Sequence, residues 1–282
     1  MKYEVIEQYK SEYPVSRLCW VLKVSESGYY AWLQREPSQH TVQDRDLHEK
    51  IMTIWKQFRG IYGAPRIHAE LLSQGNHVSR KRVARLMREA DIQGKMVRRK
   101  RPCTTRADAS HPVAPNLLNR EFDVQQGHQV WLSDITYIDT EEGYLYLAGV
   151  LDLGSREIVG MAMADHLQTD LVIQALDMAL IQQRPQPGLL HHSDRGSQYT
   201  SYLYQQKLQD AGLIASMSRT ANCLDNAPME SFWATLKREC ADHVFPNRDC
   251  ARIEIFSYIM GFYNRTRRHS ALNYHTPLSQ AA

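Results

Sequence analysis

Apolar residues recur at helical spacing through the first third of the chain and at strand spacing through its middle. Residues 15–22 and 27–35 predict two short helices joined by Lys23-Val24-Ser25-Glu26, with Ser25 or Ser27 as N-cap. Their spacing suits either a compact helix-turn-helix or a plain helical hairpin. After the break at Pro37-Ser38-Gln39, residues Leu47, Ile51, Ile54, Trp55 and Phe58 share one face of an amphipathic helix over 43–59. Gly60-Ile61-Tyr62-Gly63 ends it. A second helix over 64–74 turns Ile67, Leu71 and Leu72 inward, and Gly75-Asn76 turns the chain. Ser79 caps a third, 80–90, with Val83, Leu86 and Met87 inward and Arg80, Lys81, Arg82, Arg85 and Arg88 elsewhere. From residue 128 the period shortens. Strands are expected over 130–138, 144–153 and 157–163, then a helix over 169–183. A strand (188–193), a helix (200–211), a strand (213–217), a polar loop (218–226) and a helix carrying Glu230 follow, in the order βββαβαβα. A last helix, 249–263, precedes a basic tail.

At 282 residues there is room for one sizeable α/β core and one or two small modules. No apolar run nears the roughly 18 residues of a membrane span, and Met-Lys-Tyr-Glu-Val-Ile-Glu is no signal peptide. Cys19, Cys103, Cys223, Cys240 and Cys250 are scattered and form no Cys-x-x-Cys, which argues against disulfides and a structural zinc and fits a reducing cytoplasm. The net charge of +3 hides an asymmetry: residues 1–120 carry 22 Lys+Arg against 12 Asp+Glu, and residues 121–282 carry 12 against 19. A basic N-terminal half is the footprint of a phosphate-binding surface. Lys95, Arg98, Arg99, Lys100 and Arg101 extend it into a proline-punctuated linker.

Three acids carry the candidate chemistry. Asp134 lies mid-strand in Trp-Leu-Ser-Asp-Ile-Thr-Tyr-Ile, where a carboxylate is unfavourable unless paired or metal-bound. Asp194 ends a short strand in His-Ser-Asp-Arg-Gly-Ser-Gln-Tyr, and Glu230 falls in the first turns of a helix that Asn226 is expected to cap, with Pro228 tolerated beside it. Each has a bland reading: an edge-facing Asp, a turn-forming Asp, a Glu favoured by the helix dipole. Brought together, they make a hard-oxygen cage suited to Mg²⁺ or Mn²⁺. Two such ions can activate an attacking oxygen and stabilise the leaving oxygen of a phosphodiester. His191 and His192 are poor ligands for such ions, and Asp225 reads as loop-forming.

The run Ser216-Met217-Ser218-Arg219 through Asn222-Cys223, then Asp225-Asn226-Ala227-Pro228-Met229-Glu230-Ser231-Phe232, resembles the catalytic helix region of DDE transposases of the insertion-sequence-three family. The resemblance extends to His192 through Tyr199, to Lys237, and to Tyr263-Asn264…Arg268-His269-Ser270-Ala271-Leu272…Tyr274…Thr276-Pro277. Tyr62 through Leu71 and Val78 through Met87 resemble the family's helix-turn-helix. Nearly the whole chain is covered, in order. Two departures, Thr220-Ala221 where Lys-Gly is common and Leu224 where an aromatic is common, spare the acids.

The resemblance implies an α/β fold: a ribonuclease-H-like catalytic core, of the retroviral-integrase superfamily, preceded by small all-α helix-turn-helix DNA-binding modules. The expected division is an N-terminal helical segment (1–40), a helix-turn-helix domain (41–95), a basic linker (96–124), the core (125–245), and a C-terminal helix with basic tail (246–282). It implies a DNA transposase that cuts an element's ends and joins them by 3′-hydroxyl attack. Asp134, Asp194 and Glu230 would hold two Mg²⁺ or Mn²⁺ ions. Lys237, Arg219, Arg267 and Arg268 are candidate phosphate contacts, with Lys237 readable also as a surface lysine. Partners would be terminal-repeat and target DNA, further copies of the chain on DNA, and an upstream-frame protein or fusion, in a nucleoid-associated cytoplasmic setting. A tyrosine recombinase using Arg268, His269 and Tyr274 would crowd its residues into one tail and work in EDTA. A non-catalytic regulator has no use for three converging carboxylates.

Overall fold

The computed structural model describes residues 2–36, 38–95, 113–124, 129–219 and 223–281; the linker residues Arg98, Arg99, Lys100 and Arg101 lie outside them. The chain opens with α1 (Lys2–Tyr9), α2 (Val15–Leu22) and α3 (Glu26–Leu33). Helix α1 escapes a periodicity reading because Ile6 is its one buried side chain. Ser25, not Ser27, caps α3 by accepting from the Gly28 N–H. Ile6, Cys19 and Tyr29 form the small centre of this module.

Helices α4 (Gln39–Gln57), α5 (Ala64–Ser73) and α6 (Arg80–Glu89) follow. Leu47, Ile51, Ile54 and Phe58 bury against Ile67, Leu71, Val83, Leu86 and Met87, each such burial contributing about 1.5–3 kcal/mol. Ser79 caps α6 as expected, accepting from Arg82 N–H.

The core is a five-stranded sheet in the order β3-β2-β1-β4-β5. Strands β1 (Val130–Thr140), β2 (Gly143–Asp152) and β3 (Ile158–Ala164) form an antiparallel meander, while β4 (Leu190–Ser193) and β5 (Ile214–Met217) extend it in parallel beyond β1. Because successive strand residues face opposite sides, Leu132, Leu147 and Leu151 pack under α10 (Ala227–Glu239) and α11 (Arg248–Phe256). Trp131, Ala148 and Val150 pack under α7 (Thr169–Gln183) and the helix over 202–210. Gly160 lets α7 close on the sheet: a Cβ there would stand 2.2 Å from the Ala175 carbonyl.

Two expected helices are interrupted. The one over 200–211 splits into α8 (Ser197–Thr200) and α9 (Tyr202–Asp210), because Ser201 turns extended and caps α9 through the Tyr204 N–H. The one over 249–263 passes from α11 into a π-helical stretch, Ser257–Tyr263. That wider turn faces Asn264 inward, where it bonds the Ile158 N–H (3.0 Å) and carbonyl (2.9 Å). These bonds fall where the β2–β3 register slips. The chain closes with α12 (Pro277–Ala281).

The expected basic tail is folded in, and this corrects two assignments. Arg267 is 2 % exposed and donates to both oxygens of Glu239 at 2.7 Å each, so it is a core ion pair and no phosphate contact. Burial would raise the Glu239 carboxyl, but the bonds and charge of Arg267 hold it below its ordinary value. Arg268 is committed too, donating to Glu70 (2.5 Å) and Ser73 (2.6 Å) of α5. Tyr62 accepts from Arg268 N–H (2.8 Å) and donates to the Thr266 carbonyl (3.2 Å), and Arg66 donates to the Arg268 carbonyl (2.9 Å). The α4–α6 domain is thereby docked on the end of the core. Breaking one partner of a buried pair costs about 3–5 kcal/mol. Arg267→Met should therefore lower the urea midpoint strongly, and adding Glu239→Leu should recover much of the loss; a double variant weaker than the single would contradict the pairing.

Candidate active site

Asp134 projects from the centre of β1, opposite Gly149 of β2. Gly149 has no side chain for a reason: a Cβ would come within 2.9 Å of both Met229 and Trp233 of α10. The gap lets α10 lie close on the sheet, and the Trp233 indole N–H donates to Asp134 Oδ2 at 3.0 Å. Next to Asp134 in sequence, the Ser133 carbonyl accepts from Asn226 Nδ2 at 3.1 Å. Asn226 stands at the expected N-cap position of α10, but its side chain makes no capping bond and ties the helix start to β1. Glu230, in the first turn of α10, is carried toward β1 by these two ties.

Asp194 follows β4, whose parallel register pairs His192 with Leu132. Continuing that register by two residues brings Asp194 level with Asp134 on the neighbouring strand. Its Oδ1 accepts from the Gly196 N–H at 2.9 Å, closing a tight turn. The three acids thus come from a central strand, a strand end and a helix start.

Their charges act on one another. The Asp134 carboxyl is pushed up to about 7, first by burial, then by the negative charge of Asp194 and, more weakly, of Glu230; the Ile135 and Trp233 N–H groups pull it back. Among the described residues, no three His, Cys, Asp or Glu side chains stand close enough to clasp an ion. The donor set itself fits one: hard carboxylate oxygens, mutually repelling, whose penalty a divalent cation would reverse.

The histidines support the site from beneath. His191 Nε2 bonds the Ser133 hydroxyl (2.8 Å) and the Tyr204 hydroxyl (3.0 Å). Both ring nitrogens of His192 are taken, by Ser216 (2.8 Å) and Ser218 (3.1 Å). Burial pushes their pKa values down to about 3 and about 4, so both stay neutral.

The expected DNA contacts divide by their partners. Arg80, Lys81 and Arg88 are exposed on α6. Arg82 and Arg85 each reach Asp44 of α4 at 2.7 Å, so these two brace α6 against α4. Lys95 pairs with Asp242 at 3.0 Å, and Arg219 with buried Asp225 at 2.8 Å. Lys237 is half-buried with its ammonium 4.2 Å from the Tyr137 ring centroid, and burial lowers its pKa. Trp233 and Gly149 carry no sequence signal of this role beyond a mid-strand glycine, which marks a close approach of some kind.

An integrase core domain model matches residues 125–223, a second integrase core model matches 211–277, and an HTH-like domain model matches 42–101. The insertion element IS600 uncharacterized 31 kDa protein of Shigella sonnei is 48 % identical over 261 residues, 92 % of this chain and 96 % of that one. Transposase InsF for insertion sequence IS3A of Escherichia coli (strain K12) is 39 % identical over 274 residues, 96 % and 94 % of the two chains. Two solved structures align more remotely. A simian T-cell lymphotropic virus intasome in complex with PP2A regulatory subunit B56 gamma covers 82 % of this chain and 74 % of its own, at 11 % identity and TM-score 0.48. The HTLV-2 integrase catalytic core domain in complex with magnesium covers 56 % and 98 %, at 13 % identity and TM-score 0.41. An integrase core, an HTH-like domain and end-to-end similarity to InsF place the chain in the IS3 family of transposases: it is a DNA transposase.

Proposed function

We propose that Asp134, Asp194 and Glu230 are the catalytic acids of this transposase and hold two divalent ions, Mg²⁺ or Mn²⁺. What supports this reading is placement: Asp134 at the centre of β1, Asp194 level with it beyond the end of the paired strand β4, and Glu230 in the first turn of α10, which Asn226 ties to β1. Bound there, such ions supply Lewis-acid activation of the attacking oxygen and charge stabilisation of the leaving oxygen of a phosphodiester. The chain's own contribution is placement. Trp233 orients one Asp134 oxygen, the Gly196 N–H orients Asp194, and Asn226 sets α10 against β1. Water would open the phosphodiester at an element end first, and the freed 3′-hydroxyl would attack target DNA next.

The exposed Arg80, Lys81 and Arg88 make the face of α6 offered to terminal-repeat DNA, with Arg82 and Arg85 holding that helix in place. Lys95, Arg98, Arg99, Lys100 and Arg101, which continue the basic run in sequence, and Lys237 and Arg219 would be further phosphate contacts. Residues 1–40, 41–95, 96–124, 125–245 and 246–282 are the functional divisions of this reading. No helix among the described residues is long and apolar enough to cross a membrane, and a DNA-bound enzyme would work at the nucleoid. Joining two ends requires at least two cores, so copies would assemble on paired ends, with or without an upstream-frame partner.

Asn at Asp134 or Asp194, or Gln at Glu230, should abolish Mg²⁺-dependent cleavage while end-DNA binding persists. Retained cleavage in any one variant would remove that acid from the site. Binding of an ion must also displace the proton that Asp134 holds below about pH 7. The sign follows from the raised pKa: ion-free, this carboxyl favours the folded chain at low pH, an advantage that fades as pH rises through 7, whereas ion binding strengthens over the same range. Mn²⁺ should therefore raise Tm more at pH 8 than at pH 6, and not in Asp134→Asn; an equal rise at both pH values would contradict the assignment.

For α6, replacing Arg80, Lys81 and Arg88 by Ala should weaken binding of the full chain to end DNA. It should also flatten the log K against log salt slope by about 0.9 per lost phosphate contact; an unchanged slope would move the DNA face elsewhere. For assembly, light scattering should find monomers alone and multimers with paired-end DNA, and a stable multimer without DNA would refute the order.

A further inference from the structure

A fourth acid stands where α10 begins. Asp225 is 0 % exposed, and hydrogen bonds from Arg219, outweighing the upward push of burial, hold its carboxyl well below the ordinary range. Its Oδ2 accepts from the Arg219 N–H (3.0 Å), Arg219 Nε (2.9 Å) and Asn116 Nδ2 (3.0 Å). Its Oδ1 accepts from Arg219 Nη2 (2.8 Å) and Arg120 Nε (2.7 Å). A carboxylate offers about four acceptor sites, so these donors leave none for a cation, and Asp225 is not a metal ligand.

What these donors belong to matters more. Asn116 and Arg120 sit on residues 113–124, a strap that runs along β5: the Met217 N–H donates to the Pro115 carbonyl (3.3 Å) and the Leu117 N–H to Ser216 Oγ (2.9 Å). In sequence the strap is the C-terminal end of the basic linker, 96–124. Arg219 lies beside Ser218, whose carbonyl accepts from Arg195 Nε at 2.6 Å, and Arg195 is next to Asp194. Asn226, next to Asp225, reaches the Ser133 carbonyl beside Asp134. The Asp225 carboxylate is the junction at which the strap, the Asp194 turn and the start of the Glu230 helix meet.

We propose that Asp225 is a positioning residue: by clasping Arg219 and Arg120 it sets Glu230 against Asp134 and Asp194, and so makes the geometry of the ion site depend on the strap. The inference rests on the assignment of those three acids as ion-holding. It predicts that loss of a strap contact, remote from the acids, weakens ion binding as loss of other outer-shell partners does.

The test uses the full-length chain without DNA, with Mn²⁺ binding read by electron paramagnetic resonance. Thermal melting and end-DNA gel shifts run in parallel. Asp225→Asn and Arg120→Gln should each raise the half-saturating Mn²⁺ concentration by about 10- to 100-fold, with DNA affinity kept. Arg120→Lys, which keeps the charge, should recover part of the loss. The double variant should be no worse than Asp225→Asn, because the two residues form one unit. If Asp225→Asn does not fold, Arg120→Gln carries the test, since the Arg120 side chain is 39 % exposed. Unchanged Mn²⁺ binding in either folded variant overturns the proposal, as does a double loss equal to the product of the singles. A fall in melting temperature without a shift in Mn²⁺ binding overturns it too, as a merely structural role. Asp134→Asn separates the two levels: if wild type binds no Mn²⁺, or this variant binds it like wild type, the ion assignment itself fails and the clasp's role falls with it.

Discussion

Keeping the Asp134 carboxyl in a central strand, out of water and near two other acids, is the constraint on which the site depends. Asp134 sits half-buried within reach of the charges of two further acids, and its raised pKa records first the cost of burial and then that of their repulsion. Such a gathering survives only if the backbone beneath cannot relax it away. The parallel β1–β4 pairing supplies one fixed spacing, and the seat of α10 on Gly149 supplies the other. The neutral His191 and His192, hydrogen-bonded below the strand ends, hold the floor without adding charge to it.

Helix α10 needs support on both ends. Its start is tied to β1 and to the strap, and its last turn carries Glu239, which Arg267, Arg238 and Tyr258 surround at 2.7–2.9 Å. A residue far along the chain therefore fixes the far end of the helix that bears Glu230. The π-helical turn at Ser257–Tyr263 belongs to the same arrangement, because it delivers Asn264 to the β2–β3 slip and Arg267 to Glu239.

Much of this was legible in the residues. Apolar, β-branched and aromatic runs mark β1, β2 and β3 to within a few positions, and Asp134, between Leu132 and Ile135, stands out as a charge needing a partner. Capping chemistry places Ser79 and Asn226 at their helix starts, but the Asn226 side chain bonds across to β1 and not to its own helix, a choice set by what lies opposite. The arginines were read least well. Arg267 and Arg268 carry the same formal charge as Arg80 and Arg88, and nothing local says that Glu239, 28 residues away, and Glu70, 198 away, claim them. Trp233 was invisible for the same reason: its acceptor lies 99 residues upstream. Local pattern reports period and propensity; it does not report who meets whom.

The seat between the α4–α6 domain and the tail rests mainly on Tyr62, Arg66, Glu70 and Arg268, with the Phe58 and Phe262 rings 6.2 Å apart beside them. A contact of that composition is directional and responsive to charge, unlike an apolar seam. Directional bonds of this kind fix one geometry, so the α4–α6 domain is set on the core in a single orientation. The join between the two domains is thus held by charge and direction as much as by buried area.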